Sequence, residues 1–396
     1  MSAPSDRKSL IVVLSVLTFI VCGTYLLSVL GRGYRLNLTS QPRLEATGLL
    51  SLVSTPKAAS VYIDDHLTTA TDDTVNLLPG QYHLKISKDG FLPWSKTVEI
   101  NRELVTVADV YLYRLAPDLK PITVSGAINF TVSPNGTRMV YAVASASAER
   151  ENGLFLLETG DNPLNLNRYQ TRRLSAPLPG IDWTQFTFKF SPDSNEILAV
   201  SPNNNYLFTL TGPNTTDQVF DVTTQLNLIS SRWNTQETRI VSQNLLRLPP
   251  FIKPLTASSS AAQVQISTSG DQILYQSATS SALVNPTRSP VPTSALSTNT
   301  LTLNGYYVYD LNTGNNFEIN LGNYTKFFWL NNTTNLILVK TGEIAVMDSD
   351  GTNLHPLFKG SFTADQVSQS ADGSQLIVLA SPYPGAPTNL YAISIR

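Results

Sequence analysis

Carboxylates are the residues of this sequence that could do chemistry, but none stands in a complete catalytic or metal-binding pattern. Carboxylate pairs can cleave glycosidic bonds at separations of about 5 to 9.5 Å, and Asp182 and Asp217 are candidates for such a pair. The run from Asp348 to Gly351 resembles part of a calcium loop, but it lacks the third ligand pair and the terminal glutamate. We interpret that run as a turn between strands.

Chemistry based on serine, histidine or cysteine is not indicated either. The sequence contains no G-x-S-x-G motif, which excludes an α/β-hydrolase nucleophile elbow. His66, His83 and His355 are far apart, and none has the i, i+4 spacing of a helical metal pair. Cys22 is the single cysteine, which excludes an internal disulfide and a cysteine-based zinc site. We therefore predict no catalytic, cofactor-binding or metal-binding residue, no cofactor, and no enzymatic activity.

The composition of the 396-residue chain is typical of short strands joined by turns. Charged residues make up only 14%, against about 25% in an average protein, and apolar residues make up 42%. With 24 Pro, 21 Gly and many β-branched and aromatic residues, this balance predicts an all-β protein. The net charge of −2 offers no basic surface for phosphates, so we expect no nucleic-acid partner.

One segment near the N-terminus is the exception to the all-β pattern. After a short tail at 1–9, residues 10–30 carry no charge, and at about 1.5 Å per residue such a helix spans a hydrocarbon core of about 30 Å. A cleaved signal peptide has a shorter apolar region and a small-residue cleavage site, and a lipoprotein would need a small residue before Cys22. We therefore predict a single-pass transmembrane helix, followed by a linker at 31–45.

A compact block at 46–115 alternates apolar and polar residues, with turn signals between the alternating runs. Its order of strands and turns, with Leu78-Pro79-Gly80-x-Tyr82 and Asp89-Gly90-Phe91-x-Pro93, resembles the PEGA domain. That resemblance implies a small β-sandwich of a kind found in bacterial and archaeal surface proteins. We interpret Tyr62, Tyr82 and Trp94 as core residues of this sandwich, and the alternative is a ligand-stacking role.

Beyond residue 118 the sequence repeats a unit of strand, polar turn and apolar strand. Several copies continue into a third strand, and three or four strands per repeat are typical of propeller blades. The series is similar to the TolB-like or WD40-like six-bladed propellers, so we predict a six-bladed β-propeller at 118–396. Its six copies are 130–144, 188–201, 231–244, 264–277, 328–340 and 367–381.

Two further features of the repeats lead to structural predictions. The stretch 277–300 is rich in Ser, Thr and Pro, which predicts a long exposed loop in the fourth blade. The last repeat is one strand short, so we expect residues 121–125 to supply its outer strand by pairing beside residues 391–395. This pairing would join the start of the propeller to its end.

These patterns predict a non-enzymatic protein of the cell envelope whose propeller binds or scaffolds a protein or a cell-wall glycan. The positive charges that flank the helix do not decide its orientation. The family resemblances and the lack of cysteine in the body favour a body outside the cytoplasm. The alternative is a hydrolase or lyase of surface polysaccharides, with acidic residues such as Asp182 or Asp217 gathered in the propeller channel.

Overall fold

The computed structural model describes residues 6–31, 34–37, 43–144, 152–159, 169–175, 180–210, 219–247, 249, 250, 252, 264–283, 297–381, 383 and 385–396. These residues form two compact units. The first contains the N-terminal helix and the strands before residue 112, and the second contains the strands from residue 118 onward together with a second helix.

The N-terminal helix α1 covers Asp6–Gly31, so the end of the predicted tail is already helical. Its segment Leu10–Ser28 is long and apolar enough to cross a membrane, and none of it is buried inside the protein. The predicted linker at 31–45 contains a short antiparallel pair. Its strands are β1, Tyr34–Asn37, and β2, Arg43–Ala46.

The rest of the first unit consists of two sheets. Their strands are β3, Gly48–Thr55; β4, Ser60–Ile63; β5, His66–Ala70; β6, Asp73–Leu77; β7, Gly80–Ser87; β8, Trp94–Ile100; and β9, Val105–Tyr111. One sheet has the order β6-β3-β9, with β3 and β9 parallel, and the other has the antiparallel order β5-β4-β7-β8. This is the predicted two-layer β arrangement.

Alternation along each strand decides which side chains enter the core of this unit. Leu50, Leu52, Leu84 and Ile86 are completely buried, and the residues between them are more exposed. Tyr62 lies between the buried Val61 and Ile63, so its side chain projects from the opposite face of the sheet, where Lys85 lies over its ring. The prediction that Tyr62 belongs to the core is therefore wrong.

The other two aromatic residues expected in that core lie at its edge. Tyr82 and Trp94 are on the inward face but are only half-buried. The ammonium group of Lys96 lies 5.4 Å from the centre of the Trp94 ring, so the indole contributes to the rim of the sandwich.

The described residues of the second unit form five four-stranded antiparallel sheets, which we number in chain order. Sheet 1 consists of β11, Ile128–Val132; β12, Arg138–Val143; β13, Gly153–Thr159; and β14, Tyr169–Ser175. Sheet 2 consists of β15, Thr187–Phe190; β16, Glu196–Val200; β17, Asn205–Thr209; and β18, Phe220–Asp221. Helix α2, Leu226–Leu246, follows sheet 2.

The other three sheets follow α2 along the chain. Sheet 3 consists of β19, Val264–Ile266; β20, Gln272–Gln276; β21, Tyr306–Asp310; and β22, Asn316–Ile319. Sheet 4 consists of β23, Lys326–Trp329; β24, Asn335–Lys340; β25, Glu343–Asp348; and β26, His355–Lys359. Sheet 5 combines β27, Val367–Gln369; β28, Gln375–Ala380; and β29, Asn389–Ser394 with the early strand β10, Asp118–Pro121.

A buried serine fixes the first turn in four of the five sheets. Its hydroxyl accepts a hydrogen bond of 2.9 to 3.1 Å from the backbone N–H of the residue five positions later. The same hydroxyl donates to an Asn or Asp side chain in the turn. The serines are Ser133, Ser191, Ser267 and Ser370. These local bonds explain why the hairpins were recognisable in the sequence.

Neighbouring sheets bury their faces against one another. Sheet 1 shares an apolar core with sheet 2 on one face and with sheet 5 on the other, and sheets 3 and 4 share another core. Sheets 4 and 5 are joined by hydrogen bonds from Asn331 to the carbonyl oxygens of Ser370 and Ala371. Four-stranded sheets stacked face to face in chain order are the arrangement of propeller blades.

Helix α2 occupies the place in the chain where the third blade was predicted, so the predicted hairpin at 231–244 is wrong. Leu226, Ile229 and Trp233 recur at helical spacing and pack on sheet 2. Near the other end of the helix, Leu245 packs against the core of sheet 3. The described residues thus contain five sheets with a helix between the second and the third, and a sixth sheet is not observed among them.

The predicted loop at 277–300 falls mostly outside the described residues, which stop at 283 and resume at 297. Its two described ends meet in an isolated antiparallel bridge between Ala282 and Thr300. The strands on either side, β20 and β21, are therefore held together at the base of this insertion.

The predicted closure of the second unit is confirmed, with a shift of three residues. Strand β10 pairs with β29, and Pro121 lies opposite Tyr391. The sequence pattern had placed the pairing at 121–125, but the regular pairing ends at Pro121, and Ile122 and Thr123 add only backbone bonds to Leu390. The last sheet is thus completed by a strand from the beginning of the unit.

This closure can be tested with a matched pair of proline substitutions. Ile122 donates its backbone N–H to Leu390 at 2.8 Å, so in this ladder the N–H of Lys120 points to β29 and that of Leu119 points away. Lys120→Pro should lower the free energy of unfolding of the second unit by about 1 to 3 kcal/mol, because it removes a ladder bond and leaves the acceptor unpaired. Leu119→Pro should cost less than about 1 kcal/mol.

The measurement is urea unfolding of the full chain in detergent. It is followed by the fluorescence of Trp183, Trp233 and Trp329, which are buried in the second unit. Equal losses of stability in the two variants would contradict the closure.

Candidate functional site

A groove of about 620 Å³ lies in the second unit, between the segment 122–126 and the outer part of sheet 1. Its size is within the usual range of about 300 to 1,000 Å³ for ligand sites. One wall comes from side chains of β12, β13 and β14, and the other comes from the five residues that follow β10. Because β10 is paired with the last strand, the second wall is the segment that follows directly after the strand completing the last sheet.

Three residues at neighbouring positions of sheet 1 form the centre of the first wall. The register places Tyr141 beside Phe155 and Phe155 beside Arg173, so all three side chains emerge on one face. The rings of Tyr141 and Phe155 are stacked with centroids 5.5 Å apart. The guanidinium carbon of Arg173 lies 5.4 Å from the centre of the Phe155 ring. The wall is therefore an aromatic surface that ends in a cation.

Gly153 allows this arrangement where β13 begins. A Cβ atom at this position would lie 2.4 Å from the carbonyl oxygen of Ser175, and the backbone has φ of +144°, which L side chains rarely adopt. The register of β13 and β14 shifts at this end, between the Leu154 and Phe155 pairings. The glycine thus permits the close approach of β14 that brings Arg173 over Phe155.

The second wall is held in place by Asn389. Its side-chain oxygen accepts hydrogen bonds from the Thr123 hydroxyl at 3.0 Å and from the Gly126 backbone N–H at 3.1 Å. The Thr123 hydroxyl in turn accepts from the N–H of Leu390 at 2.9 Å. Between these anchors, Val124 is 82% exposed. A fixed loop therefore presents an apolar side chain at the mouth of the groove.

Burial governs the protonation of Tyr141 in the groove. Tyr141 is buried, and desolvation raises its pKa to about 12, although a hydrogen bond with Thr171 opposes this effect. The phenol is therefore neutral at physiological pH. The groove offers this phenol, apolar side chains, a threonine hydroxyl and a guanidinium, which suit binding and orientation of a ligand.

The structure gives the candidate acid Asp182 a local structural role. Its carboxylate accepts hydrogen bonds from the hydroxyl of Thr184 at 2.7 Å, from the backbone N–H of Thr184 at 3.0 Å, and from Gln185 at 3.3 Å. These bonds, led by the Thr184 hydroxyl, lower the pKa of Asp182. A carboxyl with a lowered pKa is ionised and does not suit the role of general acid. The second candidate, Asp217, lies outside the described residues.

The other residues considered for chemistry also lie in local structure. Asp348 accepts hydrogen bonds from the side chains of Asn335 and Asn353, and Asp350 accepts from Thr352 within its own turn. This run is a turn after β25, as interpreted from the sequence. In the described part of the chain, no group of three or more His, Cys, Asp or Glu residues could hold a metal ion.

Sequence reasoning named no site residue and missed the groove. Its residues come from β12, β13, β14 and the segment after β10, and they meet only through strand pairing and sheet packing. Two local signals exist in the sequence: the adjacent arginines Arg172 and Arg173, and the glycine that begins β13. Neither signal identifies a groove without knowledge of the neighbouring strands.

Comparison with known families identifies the first unit. Residues 47–114 match the PEGA domain family, close to the predicted block at 46–115. The chain contains a PEGA domain. The comparison with curated proteins found no match.

The solved structures similar to this chain include TolB proteins. TolB from Acinetobacter baumannii has 13% identity over 79% of this chain and 60% of its own length, with a TM-score of 0.23. A protein described as TolB from Agrobacterium tumefaciens has 10% identity over 86% of this chain and 99% of its own length, with a TM-score of 0.20. The chain thus spans 60% of the length of the first of these structures. The architecture beyond the PEGA domain is defined by its own strands and packing.

The buried phenol in the groove gives a test by pH. An unfolded tyrosine has a pKa of about 10, and that of Tyr141 is raised to about 12. Its contribution to stability is therefore complete below pH 10 and is lost as the pH rises from about 10 to 12. Tyr141→Phe should show a smaller fall in unfolding free energy over that range than the native chain.

The measurement is urea unfolding of both proteins at pH 8 and at pH 11. The pKa of Tyr324 is also raised to about 12, but this group is present in both proteins, so the difference between them reports Tyr141. An identical fall in the two proteins would show that the groove wall does not bury this phenol.

Proposed function

We propose that the chain is a non-enzymatic, membrane-anchored protein of the cell envelope that binds a protein or a cell-wall glycan through the groove beside sheet 1. The observation that carries this proposal is the groove itself, in which an aromatic wall faces a loop fixed by Asn389. Preformed concave sites with an apolar lining and a few polar groups suit binding, because few side chains or loops must lose conformational entropy when the partner binds.

The anchoring part of the proposal is supported by α1 and by the domain that follows it. The segment Leu10–Ser28 meets the length and composition needed to cross a membrane. A PEGA domain comes directly after it in the chain, and such domains imply a surface location. In this arrangement α1 holds the PEGA domain and the second unit at the outer face of the membrane.

We expect the chain to remain in the membrane fraction after alkaline washing, because α1 is an integral span. Protease added to intact spheroplasts should digest the body after about residue 36, beyond the end of α1. Protection of the body until the membrane is broken would contradict the orientation. Release of a full-length body by alkali would contradict the anchor.

The binding role is tested by site-specific photo-crosslinking in intact cells. A photoreactive residue at Val124, on the groove, should form a discrete adduct with one envelope protein or with wall polymer. The same residue at Leu303, which is 59% exposed in the same unit, should not form it. Val124→Asp should weaken capture of the identified partner by about tenfold or more, because it places a charge at an apolar contact.

The outcomes separate the two classes of partner. A protein adduct assigns the groove to protein binding, and an adduct that purified peptidoglycan competes away assigns it to glycan binding. If positions 124 and 303 give the same pattern, or if neither reacts, the groove is not the binding site.

A further inference from the structure

The outer strand of sheet 1 differs from the other outer strands in length. Strand β14 has 7 residues, whereas β10, β18, β22 and β26 have 4, 2, 4 and 5. Proteins usually keep outer strands short, because the unpaired N–H and C=O groups of a long one can pair with another chain. Among the described residues, no strand pairs with the outer side of β14.

The alternation of hydrogen bonds across sheet 1 shows which backbone N–H and C=O groups of β14 point away from the sheet. Thr159 donates its backbone N–H to Thr137 at 2.9 Å, so the odd-numbered residues of β13 bond to β12 and the even-numbered ones bond to β14. The register then pairs Gln170 and Arg172 with β13. At the centre of β14, the N–H and C=O of Thr171 point away from the sheet.

The groove lies on the face that an added strand would cover. Thr171 and Arg173 both line it, and they are on the same face as Tyr141 and Phe155. A strand paired at Thr171 would place the side chain opposite that residue over the groove, since directly paired residues share a face. The apolar lining of Val143, Phe155 and the segment 122–126 favours an apolar side chain at that position.

The charge of β14 indicates which residues of an added strand would flank the apolar one. The strand contains two arginines and no carboxylate. Arg172 projects from the opposite face, where its side chain donates to the carbonyl oxygen of Leu210 at 2.8 Å. The residues of an added strand that alternate with the apolar one would lie on this second face, where carboxylates are favoured.

We propose that an extended, acidic segment of a partner protein pairs with β14 as a fifth strand of sheet 1 and inserts one apolar side chain into the groove. This inference rests on the proposed function and specifies its partner as protein. Such strand addition uses main-chain bonds for affinity and alternate side chains for specificity.

The test uses two proline variants of the full chain in detergent, each of which removes one outward backbone N–H of an outer strand. Thr171→Pro removes the outward N–H of β14 without removing a bond to β13, and Leu119→Pro removes the outward N–H of β10 at a residue that does not line the groove. The probe is a labelled, capped heptapeptide of alternating aspartate and apolar residues with phenylalanine at its centre. Its binding is measured by fluorescence anisotropy.

The native chain and Leu119→Pro should bind the peptide with similar affinity, and Thr171→Pro should bind it about tenfold more weakly. The factor corresponds to the loss of one or two hydrogen bonds. Two N-methylated forms of the peptide, measured with the native chain, give a test that does not depend on how the proline variants fold. For a strand added antiparallel, as every described pair of sheet 1 is, N-methylation of the central phenylalanine should weaken binding by a similar factor. N-methylation of the next aspartate, whose N–H points away from β14, should not.

Equal binding to both variants, equal binding of both methylated peptides, or absence of peptide binding would overturn strand addition. Dimers of the native chain that Thr171→Pro dissociates would also overturn it, because β14 would then pair with a second copy. If Thr171→Pro still forms the adduct at position 124, the proposed function stands and strand addition fails. If the native chain forms no adduct at all, the proposed function fails as well.

Discussion

The pairing of β10 with β29 is the constraint on which the second unit depends. Each sheet buries its faces against its neighbours, and sheet 5 is complete only with a strand from the beginning of the unit. The same pairing sets where the chain goes next. The regular pairing ends at Pro121, and Asn389 at the start of β29 holds the segment that follows beside sheet 1. The groove is therefore a direct product of the closure.

Helix α2 buries the apolar faces of two sheets, as a neighbouring sheet does elsewhere in the second unit. Sheet 2 and sheet 3 each have an apolar face, and the helix packs Trp233 on the first and Leu245 on the second. Trp233 also donates its indole N–H to Glu196 on sheet 2 at 3.3 Å, which satisfies a buried polar group at the contact. A helix with apolar residues on two faces can thus cover apolar faces of two different sheets.

Local signals made most of the sheets predictable, whereas contacts between distant segments did not. The serine turns and the alternating strands depend on residues close together in the sequence. The hairpins of the five sheets and the strands of the PEGA domain could therefore be predicted. At 231–244, the polar residues between apolar ones resemble the pattern of a hairpin. The helical spacing of Ile229 and Trp233 was the better indicator of the structure, which is a helix. The groove needs Val124 beside Phe155, and only the closure brings those two residues together.

This origin of the groove couples binding to the stability of the unit. A ligand that contacts Phe155 and the segment 122–126 touches both the first sheet and the residues fixed by the last one. Opening the β10–β29 pairing would separate these walls, so the ligand binds only the closed form. By linkage, a ligand at 100 times its Kd would then stabilise the closed form by about 2.7 kcal/mol. A partner in the groove therefore acts as an additional connection between the two ends of the unit.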